Sequence, residues 1–88
     1  MTIQFEPGST YGNGREGVTF IALVNNQRRR CIVSDEALND HFGGDDVPPG
    51  PARALLFEGN RPRIEGVARA LIAVGRTGDI IVGTNDFA

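Results

Sequence analysis

Few residues in this 88-residue sequence are of types that carry out chemistry. It has one histidine, His41, and one cysteine, Cys31, and its positive charge comes from nine arginines with no lysine. A Schiff base requires a lysine, a thiol nucleophile requires a nearby histidine, and a zinc site requires three or four ligands. The composition therefore favours binding over catalysis, and we expect no catalytic constellation, no metal and no cofactor.

His41 is the candidate for acid–base catalysis, because it follows Asp40 near the end of a predicted helix. A histidine at a helix C-terminus also stabilises the helix dipole when it is charged, which is a purely structural role. No serine or cysteine stands at an obvious pairing distance from His41. A small enzyme centred on His41 is therefore third among the functions that we consider.

The run Arg28-Arg29-Arg30 is the candidate for binding phosphate or nucleic acid, and Arg61 and Arg63 are candidates to extend that interaction surface. Alternation along a strand places Arg28 and Arg30 on one face and Arg29 on the other, so the run is a weaker patch than it looks. The net charge of −2 also disfavours nucleic acid. Weak nucleic-acid or phosphate binding is the second function that we consider.

The segment from Gly12 to Gly17 matches the pattern G-x-G-x-x-G. In a dinucleotide site these glycines join a strand to a helix, so that the pyrophosphate meets the helix N-terminus. Here the segment precedes a predicted strand. We therefore expect no nucleotide binding and interpret the segment as a connection into that strand.

The strongest structural signal is a β-hairpin over about residues 18–33. The segment 18–24 is β-branched and aromatic, and Asn25-Asn26 supplies two residues that tolerate the positive φ of a tight turn. A short strand is also predicted at 3–5.

Three helices and a C-terminal strand follow the hairpin, over about 35–42, 51–58, 61–75 and 79–83. Ser34 is placed to cap the first helix, and Asn60 to cap the third ahead of Pro62. In the second helix we expect Leu55 to turn inward with Ala52 and Leu56. In the third, a helical spacing predicts an apolar stripe, formed by Ile64, Val67, Ala68, Leu71 and Ile72.

These elements predict a single domain over residues 1–88 with a two-layer α+β fold. An antiparallel sheet is built on the hairpin and extended by the C-terminal strand, and the helices cover one of its faces. Near the C-terminus, we expect Phe87 to dock on the core while Arg61 and Asp86 form a structural ion pair.

Several short signatures resemble the small bacterial proteins grouped as domain of unknown function 1488. They are Ile3-Gln4-Phe5, Val18-Thr19-Phe20, the run from Val33 to Leu38, Phe57 with Asn60-Arg61, and Asp86-Phe87. The resemblance implies a small α+β domain, and it brings no established activity, substrate or catalytic residue.

The function that these observations favour is a non-enzymatic interaction or regulatory module. Its partner is an unknown protein or a second copy, with nucleic acid disfavoured. No apolar run approaches the roughly 20 residues of a membrane-spanning helix, so we expect no membrane partner. The single cysteine and the absence of a signal-like N-terminus lead us to expect a cytoplasmic protein.

Overall fold

The structure is a computed structural model that describes residues 1–12 and 17–87. Four strands, three helices and a final strand follow one another and form a sheet layer and a helical layer, which confirms the α+β prediction. The strands are β1 (Ile3–Phe5), β2 (Thr10–Tyr11), β3 (Gly17–Val24), β4 (Gln27–Ser34) and β5 (Ile80–Val82). The helices are α1 (Asp35–Phe42), α2 (Pro51–Gly59) and α3 (Arg61–Ala73), with 3-10 turns at Gly44–Asp46 and Thr84–Asp86.

The hairpin of β3 and β4 forms as predicted. Asn25 and Asn26 have φ values of 53° and 68°, so both turn residues adopt the left-handed conformation of a two-residue hairpin turn. The pairing runs without interruption from Val24 opposite Gln27 to Gly17 opposite Ser34.

The sheet has the strand order β1-β3-β4-β5, and β2 also pairs with β3. All pairs but one are antiparallel, because β5 runs parallel to β4. The antiparallel sheet predicted around the hairpin therefore also contains one parallel pair, and the sheet as a whole is mixed. The chain leaves β4 into the helical layer and re-enters the sheet beside β4 in the same direction, which is the usual course of a helical crossover.

The helices cover one face of the sheet, as predicted. Alternate residues of the strands belong to a single core together with one stripe of each helix. The buried members from the strands are Val18, Phe20, Ala22, Cys31, Val33, Ile80 and Val82. Those from the helices are Ala37, Leu38, Phe57, Ile64, Ala68 and Ile72.

Helix α1 has the predicted ends. The Ser34 side chain accepts a hydrogen bond from the Ala37 N–H at 3.1 Å, and Gly43 closes the helix in the left-handed conformation. Asn60 separates α2 from α3, but it does not cap α3 through its side chain as expected. Its Nδ2 donates to the Leu56 carbonyl at 2.9 Å, so it ties the break to the last turn of α2 instead.

Helix α2 presents a different face from the one predicted. Leu55 is 72% exposed, whereas Arg53 and Phe57 are buried. The inward face of α2 thus carries an arginine. Because a search for apolar residues passes over a charged one, it assigns the wrong face of α2 to the core. In α3 the predicted stripe is confirmed, with Ile64, Ala68 and Ile72 fully inside and Val67 and Leu71 packed against the core.

Candidate functional site

The face of the sheet turned away from the helices is the candidate interaction surface of this protein. We call it the open face, and it is formed by Thr19, Ile21, Leu23, Ile32 and Ile81. These residues alternate with the core residues of β3, β4 and β5, and none of them belongs to the core cluster. None of the described helices packs on this face.

The open face is apolar at its centre and accessible at its edge. Ile32 lies between Thr19 of β3 and Ile81 of β5 and is only 3% exposed, so its side chain is already covered and offers almost no surface to a partner. Ile81 lies on the outer strand and is 47% exposed. Ile21 and Leu23 are half-buried. The apolar surface that the open face offers to a partner is therefore Ile81 together with the partly exposed Ile21 and Leu23.

Two ion pairs lie on the open face. Arg28 reaches across β3 to Glu6, with 2.9 Å between Nε and Oε2. Arg30 lies 3.5 Å from a carboxylate oxygen of Asp79. Each of these arginines thus has its own counter-charge. Arg30 stands on the central strand β4 opposite Ile21, so its charge lies within the open face and interrupts the apolar residues there.

Shallow depressions flank the open face at both ends. One, of about 440 Å³, is lined by Glu6, Thr10, Ile21 and Arg28 among others. The other, of about 480 Å³, lies beyond Ile81 near the start of α1 and the turn Thr84–Asp86. The surface around the open face is therefore uneven.

Arg29 is directed to the opposite side of the sheet, as strand alternation predicts. Its NH2 group donates to the carbonyls of Arg76 and Gly78 at 2.8 and 2.9 Å, and its Nε donates to Gly78 at 3.1 Å. These bonds hold the segment between α3 and β5. The three consecutive arginines therefore do not form one surface.

Arg61 lies in the helical layer, away from the open face. Its guanidinium pairs with Glu58 and Glu65 and donates to the carbonyls of Glu6 and Gly8. Partial burial lowers the pKa of Arg61, but the hydrogen bonds with Glu65 and Glu58 outweigh it and leave that pKa above its ordinary value. Arg61 thus fastens α3 to the segment after β1.

The predicted ion pair between Arg61 and Asp86 is wrong. Within the described part of the chain, the ionic and hydrogen-bond partners of Arg61 are those just given, and Asp86 Oδ2 accepts a hydrogen bond from the Gly83 N–H at 2.8 Å. Arg63 lies elsewhere again, with its guanidinium 5.1 Å from the Phe42 ring centre and 5.6 Å from that of Phe87. Phe87 itself is docked as expected, at 5% exposure.

His41 and Cys31 both have structural surroundings. The Nε2 atom of His41 lies 2.9 Å from the Thr84 carbonyl, and its ring packs against Phe87 at 5.3 Å. Burial raises the pKa of the Cys31 thiol from 9.0 to about 11, so this thiol stays protonated at neutral pH and is a poor nucleophile.

Arg53 is the buried charge that the sequence analysis missed. Its NH1 group donates to Asp35 at 3.2 Å and its NH2 group to the Gly44 carbonyl at 3.1 Å, while its Nε is buried without a hydrogen-bond partner. The Tyr11 hydroxyl donates to the other carboxylate oxygen of Asp35 at 3.0 Å. The cluster of Arg53, Asp35 and Tyr11 joins β2, α1 and α2. The only sequence signal for the burial of Arg53 was the position of this residue on the helix.

The glycine-rich pattern falls largely outside the described residues, since 13–16 are not among them. Its last glycine, Gly17, is placed where a Cβ atom would lie 2.0 Å from the Val33 carbonyl oxygen. This close approach explains a glycine at the start of β3 without reference to a nucleotide. Among residues 1–12 and 17–87, no three metal-ligating side chains come together to hold a metal ion.

Comparison with known proteins places the chain in a family without assigning a function. None of the helices in residues 1–12 and 17–87 has the length and apolarity required to cross a bilayer. Neither the curated proteins nor the solved structures include a match to this sequence. Residues 3–82, nearly the whole chain, match the family described as proteins of unknown function (DUF1488), and the protein therefore belongs to that family.

Proposed function

We propose that this protein is a non-enzymatic interaction module that docks a protein partner through its open face. The observation that carries the proposal is the 47% exposure of Ile81, beside the apolar side chains of Ile32 and Ile21. Removing apolar surface from water contributes about 25 cal/mol per Å², so a partner that covers this face gains free energy there.

Nucleic-acid binding through the arginines has less support. Arg28 and Arg30 already have carboxylate partners, and the head group of Arg29 donates to main-chain carbonyls. A nucleic acid would have to displace these contacts to reach the guanidinium groups, and the net charge of −2 adds no general attraction.

Catalysis by His41 also has less support, because its contacts with the Thr84 carbonyl and the Phe87 ring tie the C-terminal turn to α1, which accounts for the residue structurally. A bond from Nε2 to the Thr84 carbonyl leaves Nδ1 as the nitrogen that could act as a base. We place the module in the cytoplasm, since its single cysteine is free and buried and requires no oxidising compartment.

A differential capture experiment tests the proposal. Immobilised wild-type protein, the variant Ile81→Glu and the variant Leu55→Glu are incubated with an extract of the source cells, and the retained proteins are quantified by mass spectrometry. Ile81→Glu places a charge on the open face. Leu55→Glu is the matched control, because it makes the same kind of change at the 72% exposed residue of α2 in the other layer.

We expect proteins that are retained by the wild type and by Leu55→Glu but lost with Ile81→Glu. Equal retention by all three proteins would contradict docking through the open face. A partner set dominated by nucleic-acid-binding proteins that disappears after nuclease treatment would favour the arginine alternative instead.

A further inference from the structure

We infer that the outer edge of β5 takes up an extended segment of a partner protein as an additional strand, and that Arg76 binds a carboxylate of that segment. The inference rests on the proposed function, because β5 forms one side of the open face and the segment is the part of the docked partner that meets it. It follows from the main-chain groups of Ile81, from the contrast with the opposite edge of the sheet, and from the guanidinium of Arg76.

The main-chain groups of Ile81 face away from the sheet. The two-residue hairpin turn closes with a hydrogen-bonded pair at Val24, and such pairs alternate along an antiparallel ladder, so Ile32 directs its N–H and C=O towards β5. Ile32 is the register partner of Ile81, and in a parallel ladder its bonds run to the residues on either side of that partner. The N–H and C=O of Ile81 therefore point outward. Among the described residues, no loop or turn bonds to them.

The opposite edge of the sheet, at β1, is closed by arginine side chains. Arg69 of α3 donates to the Ile3 carbonyl at 2.8 Å, and its guanidinium lies 5.3 Å from the Phe5 ring centre. Arg61 donates to the Glu6 carbonyl just after β1. Side chains that cover an edge in this way prevent pairing with another chain. In the part of the chain that the structure describes, β5 has no such cover, so of these two edges it is the one open to an added strand.

Arg76 lies beside this edge with an unpaired guanidinium. Together with Ile81 it lines the depression of about 480 Å³ at this side of the open face. The other arginines in residues 1–12 and 17–87 each have an ionic, hydrogen-bond or ring partner, and none is observed for the guanidinium of Arg76. A guanidinium holds a carboxylate through two parallel hydrogen bonds. The chemistry on offer at this end of the depression is therefore carboxylate recognition.

The carboxylates of the same depression limit where the segment can carry acids. Asp35 is paired with Arg53, and Asp86 accepts a main-chain hydrogen bond. Because β4 and β5 are parallel, Glu36 follows the end at which β5 finishes, whereas Arg76 precedes the start of β5. An acid at the Glu36 end would be repelled. We therefore expect a segment with a carboxylate towards Arg76 and none towards Glu36.

The segment also gains apolar contact beside Ile81. In an added strand, the residue opposite Ile81 has its side chain on the open face, where Ile81 is 47% exposed. Since β5 has only three residues, the paired stretch is short. The main-chain bonds of such a strand provide affinity, and the side chains that meet Ile81 and Arg76 provide specificity.

Selection from a displayed library of random peptides tests the inference. The library is displayed in one format with a free C-terminus and in another with both ends linked, and the selected peptides are synthesised with a fluorescent label. Fluorescence anisotropy measures their binding to the wild type, to Arg76→Gln and to Arg63→Gln. Arg63→Gln is the matched control, because it removes the same charge from an exposed residue of the helical layer. Circular dichroism verifies that each variant is folded.

We expect the dissociation constant to rise at least about tenfold in Arg76→Gln and to stay within about twofold of the wild type in Arg63→Gln. Replacing acidic side chains of the peptide by amides, or amidating its C-terminus, identifies the carboxylate that Arg76 binds. N-methylation at successive peptide residues should weaken binding at every second residue, because only alternate N–H groups of a strand face its neighbour.

Three results would overturn the inference. They are a library that yields no binding peptide, binding that Arg76→Gln weakens no more than Arg63→Gln, and N-methylation effects that do not alternate. Adding Arg76→Gln to the capture experiment separates this failure from failure of the proposed function. A partner that Arg76→Gln retains and Ile81→Glu loses would keep docking through the open face and exclude the added strand. A partner that both variants lose would support strand addition at β5.

Discussion

Arg53 carries a full charge into the interior of a small domain. Its side chain is 8% exposed, and only the Asp35 carboxylate and the Gly44 carbonyl compensate for the water that it loses. Buried pairs of this kind contribute little net free energy, because desolvation offsets the attraction. Removing one member is nevertheless costly, since the other charge is left without its partner.

We therefore expect Arg53→Ala to lower the free energy of unfolding by roughly 3 kcal/mol, the lower end of the range for a broken buried pair, because Asp35 is still partly in contact with water. The matched control is Arg30→Ala, which breaks the exposed pair with Asp79 and should cost about 1 kcal/mol or less. Urea unfolding measures both. Equal losses of unfolding free energy in the two variants would show that Arg53 does not form the buried pair with Asp35 described above.

Cys31 gives the protein a specific sensitivity to alkaline pH. Its thiol has a pKa near 9.0 in the unfolded chain and, because of burial, about 11 in the folded one. Between these values the unfolded chain has released the proton while the folded chain still holds it. Raising the pH therefore favours unfolding, and the contribution of Cys31 to stability falls from about pH 9 upward.

The expected loss across that window is on the order of 2–3 kcal/mol at most, because one pKa unit corresponds to about 1.4 kcal/mol. The measurement is the difference in unfolding free energy between the wild type and Cys31→Ala, followed from neutral pH to about pH 11. The variant should lose stability less steeply than the wild type above pH 9. Parallel curves would mean that Cys31 does not titrate differently in the two states.

At the scale of secondary-structure elements, local signals account for what the sequence predicted correctly. The hairpin depends on the strand sequence and on two turn residues next to each other, and α1 depends on Ser34 and Gly43 at its ends. The direction of β5 is not a local property. Whether Ile80–Val82 pairs with β4 or with β1, and in which direction, depends on how three helices return the chain to the sheet.

The candidate site was predicted only in part, for a similar reason. Alternation correctly separated Arg29 from Arg28 and Arg30, since it follows from strand geometry alone. The partners of these arginines lie 22 to 49 residues away along the chain, and no spacing rule indicates them. The pairing of Arg61 with Asp86 failed because closer carboxylates at Glu58 and Glu65, one helical turn away, take its donors.

The C-terminal turn is held to α1 by a small set of contacts. The Thr84 hydroxyl donates to Asp40 at 2.6 Å, the Thr84 carbonyl faces His41, and the Phe87 ring meets Phe42 edge-on at 5.2 Å. Phe87 supplies most of the apolar contact in this set.

We expect Phe87→Ala to cost roughly 2–4 kcal/mol, somewhat less than a mid-chain phenylalanine, because the chain end can relax into the space. Hydrogen exchange should show faster opening of the segment after β5, while the β3–β4 hairpin changes only through the loss of global stability. Asn85→Ala, at an exposed position in the same turn, is the control. Unchanged protection in Phe87→Ala would mean that the polar contacts alone hold the turn.

The whole molecule is compact although one sheet face is open. Its radius of gyration is 12.0 Å, close to the value of about 12 Å for a globular domain of this length. A domain of 88 residues buries only about 60% of the surface that its unfolded chain exposes, so its stability margin is small. For such a domain, the loss of a single core side chain is large relative to the total stability.

We expect Phe57→Ala to lower the free energy of unfolding by roughly 3–5 kcal/mol, because its fully buried ring stacks on Phe20 with 4.7 Å between the ring centres. A loss of that size is a large part of the total stability of a domain this small, so the variant should be unfolded at temperatures where the wild type is folded. Leu55→Ala is the control, because Leu55 is 72% exposed on the same helix and its truncation should cost about 0.5 kcal/mol or less. Circular dichroism during heating measures both variants. A Phe57→Ala variant that melts with the wild type would show that α2 does not close the core as described.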